Sequence, residues 1–146
     1  MKIKLLIFIS IILCVDFSAQ NKIVLKKTQD VQVLDTLNYL KTFEVNKKEY
    51  IGKQFSYLLG KMTKIQPQTV WIVPNSTDST IVQKSLFRFY DMNYPVMNET
   101  KMMITWEIGL PYKTVNFNNR RNKFYFSESE KRFYGNKIVK NILVYR

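Results

Sequence analysis

No histidine occurs in this 146-residue chain, and cysteine occurs once, as Cys14. Without histidine there is no imidazole general base, no Ser-His-Asp triad and no His ligand for zinc. With a lone cysteine there is no disulfide framework, so the fold rests on burial of apolar surface. Glycine and proline are sparse, at four each. No Gly/Ser-rich or low-complexity tract marks a linker. Carboxylates are scarce too: 11 Asp and Glu stand against 23 Lys and Arg, a formal net charge of +12. A chain this basic is drawn to anionic surfaces such as lipid headgroups, acidic polymers and nucleic acid.

What the chain does have begins at its N-terminus. Lys2 and Lys4 precede an apolar run over 5–15, and small Ser18 and Ala19 follow. That succession is the pattern of a secretory signal peptide. The run is shorter than the roughly 20 residues a membrane-spanning helix needs. The expected organisation is a signal peptide over 1–19, cut after Ala19, and a single α+β domain over 20–146. The expected location is secreted or periplasmic, within the cell envelope. Such a cut removes Cys14 and leaves the rest of the chain without cysteine.

Periodicity then assigns elements. An extended arm is expected over 22–29. A first helix follows, with Asp30 as cap and Val33, Leu34, Leu37, Leu40 and Phe43 at helical spacing. Asn46 and Glu49 have capping-box spacing ahead of the stripe Ile51, Phe55, Leu58, Leu59, Met62, and Pro67 forbids continuation. Strands are expected over 69–73, 79–90 and 101–110. In the last of these Met102, Ile104, Trp106 and Ile108 share one face, and Met103, Thr105 and Glu107 the other. Phe124–Phe126 reads as a short strand after a basic turn. Ser127 and Glu130 cap a helix over 128–140, and 141–146 reads as a final strand. The expected fold is α+β: two to three helices packed on one face of a mainly antiparallel sheet of about four strands. Gly52 and Gly135 sit in similar surroundings (Tyr50-Ile51-Gly52 … Phe55 and Phe133-Tyr134-Gly135 … Ile138), which predicts two helices approaching one sheet closely at their glycines.

Two constellations suggest binding. Arg120, Arg121 and Lys123 lie among asparagines and are flanked by Phe117, Phe124, Tyr125 and Phe126. Cations interleaved with aromatics suit a polyanion. The bland alternative is a solvated turn whose rings are core. Trp71, Trp106 and Tyr112 are candidates for an aromatic platform that would stack on sugar rings, against the alternative that both tryptophans are core. No catalytic residue, metal ligand or cofactor is indicated. Glu107, on a strand, is the candidate buried acid, without an identifiable partner.

The first functional reading is a small exported, non-enzymatic protein that binds a protein partner or envelope component. The second is a basic binder of polyanions or anionic membrane surfaces, export favouring an envelope polymer or lipid over specific nucleic acid. The third, ranked last, is a small carboxylate-dependent hydrolase.

Overall fold

Helix α1, Thr36–Val45, starts at Asp35, whose Oδ1 accepts the Asn38 backbone N–H at 3.1 Å. That bond satisfies one of the free donors of the first turn. The structure is a computed structural model that describes residues 35–73 and 75–146. The expected signal peptide, the 22–29 arm and the Asp30 cap lie outside the described residues. After α1 come a 3₁₀ turn (Lys47–Glu49), α2 (Phe55–Lys61), β1 (Thr69–Val73), β2 (Ile81–Arg88), a 3₁₀ turn (Val96–Asn98), β3 (Lys101–Pro111), α3 (Tyr112–Arg121), α4 (Glu128–Gly135) and β4 (Val139–Tyr145). Asp35–Arg146 form one compact unit. Among the described residues no helix is long and apolar enough to cross a membrane.

The four strands make an antiparallel meander in the order β1-β2-β3-β4. The α+β expectation holds, with α3 as an additional helix. Paired residues share a face, so register sorts the side chains into rows. The rows Val70–Phe87–Met102–Val144 and Ile72–Ser85–Ile104–Ile142 point towards the helices. All are buried except Ile72, which is half-buried. Leu40 and Phe43 of α1, Phe55 and Leu58 of α2, Val115 of α3 and Tyr134 of α4 complete this core. Its centre is aromatic. Phe55 lies 4.8 Å from Phe87 between ring centroids, and Trp106 stacks on Tyr134 at 5.6 Å. The Trp106 indole N–H donates to Ser85 Oγ at 3.0 Å, so its burial leaves no orphan donor.

Several local expectations are corrected. Asn46 makes no side-chain cap bond, and the second helix begins at Phe55 rather than behind Asn46. Glu49 instead accepts from the Tyr57 hydroxyl at 3.0 Å. Gly52 is not helical: it sits at φ +79°, a conformation glycine adopts without penalty. Its N–H donates to Val139 O at 2.8 Å. The likeness to Gly135 is therefore superficial, since Gly135 ends α4 beside Ser56. Ile108 leaves its expected face. Between Val82 and Lys84 the β2–β3 register is irregular, so that residues 106–109 of β3 oppose Gln83 alone, and Ile108 ends 78% exposed while Trp106 and Leu110 stay buried. The basic turn expected at 120–123 begins inside a helix, since residues 112–121 form α3.

Candidate functional site

The two faces of the sheet are unequally covered, and the less covered one is the candidate site. Its rows follow from the same register: Thr69–Arg88–Lys101–Tyr145, Trp71–Leu86–Met103–Leu143 and Val73–Lys84–Thr105–Asn141. The middle row is apolar across all four strands. At ~4.8 Å between strands it runs about 14 Å. Its four side chains are half-buried or exposed and none belongs to the core cluster.

Walls rise on two sides of this open face. On the β1 side, Phe124 stacks on Trp71 with centroids 4.6 Å apart and planes 13° apart. Lys123 and Phe124 adopt φ of 50° and 64°. Left-handed backbone is uncommon for bulky residues and costs of order 1–3 kcal/mol each. Asparagines hold that turn in place. Buried Asn119 accepts the Phe124 N–H through its backbone carbonyl at 2.7 Å, and its side-chain amide donates to Val70 O at 3.3 Å. The Asn122 side chain donates to Ser129 Oγ at 2.8 Å and to Glu130. On the opposite side, the 91–98 loop is tied down where Arg88 Nη2 donates to Tyr94 O at 3.2 Å and Arg146 Nε donates to Asn98 O at 3.1 Å.

Beneath that loop lies a buried ionic cluster. Arg88 (3% exposed) pairs with Glu99 (0%) through a short Nε–Oε1 contact. Lys101 Nζ donates to Glu99 O at 3.3 Å. The two cations also approach aromatic faces, Arg88 that of Trp71 and Lys101 that of Tyr145. With Lys84 exposed in the third row and Lys47 Nζ bound to Asn141 Oδ1 at 3.0 Å, the rim of the open face is cationic. Of the carboxylates on this face, Glu99 is paired with Arg88, and exposed Glu107 lies 3.9 Å from Lys140. A cavity of about 180 Å³ lies at the third-row end, between Val73, Asn75, Ser76, Gln83 and Lys84.

The edges of the sheet offer less. Phe124–Phe126 lies along the start of β1, with Val70 N–H donating to Phe124 O at 2.9 Å and Phe126 N–H to Gln68 O at 2.7 Å. Along β4, Val139 exchanges bonds with Gly52 and Lys53, and the Val144 N–H donates to Glu44 Oε2 at 3.3 Å. Both outer strands thus have partners along part of their outer edges.

The residues singled out by sequence fall in three places. Arg120, Arg121 and Lys123 are all exposed, at the end of α3 and in the turn behind it, not in a loop between strands. Trp71, Trp106 and Tyr112 do not form one platform. Trp106 is fully buried on the helix side, Trp71 lies on the open face, and Tyr112 starts α3. Glu107 is exposed rather than buried, 3.9 Å from Lys140. Ser127 does precede α4, but Glu130, instead of capping backbone, is buried and accepts from Ser127, Ser129 and Asn122 side chains. Among the described residues no three His, Cys, Asp or Glu side chains come together as metal ligands would. The row Trp71–Leu86–Met103–Leu143 and the Arg88–Glu99–Lys101 cluster escaped sequence reasoning. Alternation places Leu86 and Arg88 on one face, but only the register brings Met103 and Lys101 beside them. The chain matches no protein-family model, and comparison with curated proteins and with solved structures likewise returns no match.

Proposed function

We propose that the protein is an exported, non-enzymatic binding protein whose open sheet face receives an acidic, apolar protein segment. The observation that carries this reading is the four-residue apolar row spanning every strand inside a cationic rim. An exposed apolar strip in a polar frame is what interfaces look like before they are covered. Lys84 and Lys47 supply positive potential, and the two carboxylates on that face, Glu99 and Glu107, each lie beside a cation. Because both edges are engaged over part of their length, the partner lies across the strands instead of extending the sheet. The signal-like N-terminus supports export.

A photo-crosslinking residue at Met103, in protein expressed in its native host, tests the reading. The expected product is an adduct to an acidic polypeptide, lost when Lys84→Glu and Leu143→Glu are combined on the same face. An adduct only to residues 1–34 of the same chain, or only to lipid, would overturn it.

A further inference from the structure

Helix α3 has an outward face that the open sheet does not use. With 3.6 residues per turn, Lys113, Phe117, Arg120 and Arg121 fall within an arc of about 100°. Val115 and Asn119 fall on the opposite side. Burial follows this division: Val115 and Asn119 are fully buried, and the four others are exposed. Lys123 continues the cationic stripe just past the helix. None of Lys113, Arg120, Arg121 and Lys123 pairs with a carboxylate among the described residues. No Asp or Glu occurs between 112 and 126. The nearest ones that follow have other partners: Glu128 binds Lys131 at 2.7 Å, and Glu130 is caged by Asn122, Ser127 and Ser129.

In the middle of this stripe Phe117 is 64% exposed, with the Arg121 guanidinium 5.7 Å from its ring centre. A ring left in water between cations gains nothing from an acidic polymer, which has no apolar phase. An anionic bilayer offers both halves: phosphates for the cations and an acyl boundary for the ring. We infer that the α3 face, through Lys113, Phe117, Arg120, Arg121 and Lys123, is a docking surface for anionic phospholipid. The exposed side of α3 lies opposite buried Val115 and Asn119, and the inference stands independently of the partner proposed for the open face.

Flotation with vesicles tests it, using full-length protein recovered from its host. Vesicles of phosphatidylglycerol and phosphatidylethanolamine are compared with vesicles of phosphatidylcholine alone. The triple variant Arg120→Ala, Arg121→Ala, Lys123→Ala should bind the anionic vesicles on the order of 100-fold more weakly, at about fivefold per charge. Phe117→Ala should lose about fivefold, and Phe117→Trp should restore binding. Thermal midpoints of all variants should match the parent, because these side chains are exposed. The control removes as much charge elsewhere, with Lys48→Ala, Lys61→Ala and Lys64→Ala, and should bind nearly as the parent does. Equal loss from both triples would overturn the inference in favour of diffuse charge. Unchanged binding by Phe117→Ala, together with equally tight binding to soluble heparin, would overturn it in favour of an acidic polymer.

Discussion

The two faces of the sheet are built from the same kinds of residue and end in opposite conditions. On one face Val70, Phe87, Met102 and Val144 form a row that the helices seal. One residue along each strand, Trp71, Leu86, Met103 and Leu143 form a row just as apolar that stays partly in water. Composition does not distinguish them. What differs is the layer above: aromatic rings of α2 and α4 on one side, and only a walled rim on the other. A strand with apolar residues on both faces therefore carries two messages, one about the core and one about the opposite face of the sheet.

Substitution can break that contrast or sharpen it. The largest effect should come from the two tryptophans. Trp106→Ala opens a cavity in the core and should cost about 3–5 kcal/mol. Trp71→Ala loses its stack on Phe124 and partial burial, about 1–2 kcal/mol. Chemical denaturation of both variants measures the difference, and equal costs would mean that the open face is as enclosed as the core. Next comes the one place where the open face is truly dry. Arg88→Ala leaves Glu99 charged and buried and should cost about 3 kcal/mol or more. Replacing the pair together, Arg88→Met with Glu99→Leu, should recover most of it. A double variant no more stable than Arg88→Ala would show that the pair is not an isolated unit. Neighbouring methionines give a finer test. Met102→Ala should cost at least about 2 kcal/mol, and Met103→Ala less than about 1 kcal/mol, read from the same denaturation curves.

A similarly small effect at neutral pH concerns Tyr134, whose hydroxyl lies 3.4 Å from Asn119 Oδ1 in the core. Burial holds its phenol well above the ordinary tyrosine range, with the charge of Glu130 adding to the same direction. Below about pH 10 both folded and unfolded chains keep this proton, and its contribution to stability is fully present. Above that, the unfolded chain releases the proton while the folded one holds it, so stability falls as pH rises towards the folded value. Tyr134→Phe should cost about 1 kcal/mol at pH 7 and make the loss of stability above pH 10 shallower, measured as the thermal midpoint against pH. An unchanged alkaline slope would assign that loss to other groups, Tyr50 among them, whose phenol is raised in the same direction.

Much of the fold is legible in the sequence where one signal dominates. Thr69–Val73 is β-branched and bounded by turn residues, and it forms a strand with the expected limits. Phe55, Leu58 and Met62 hold their helical spacing and are buried as expected. The misreading of α3 has a physical cause. Asparagine favours turns because its amide competes for nearby backbone, whereas here Asn119 and Asn122 spend their amides on Val70, Ser129 and Glu130. Those partners lie elsewhere in the chain, and a local pattern cannot see them. Ile108 was lost to the irregularity over residues 106–109, which depends on how β3 pairs with β2 and leaves no mark on the local alternation. The basic stripe was visible as composition. The exposed ring at its centre became visible only once a helix had turned Phe117 outward.

Strand β4 carries a consequence for how the molecule is made. Val139, Ile142 and Val144 fill one flank of the core, and β4 pairs with β3 only after two intervening helices. During synthesis, every partner of β4 therefore exists before β4 does. Until it arrives, β3 has an unpaired edge, and Met102, Ile104 and Trp106 lack the neighbours that will enclose them. In that interval the chain exposes apolar surface that the finished fold buries. Any change that delays β4 prolongs that vulnerability without altering a single contact in the finished fold.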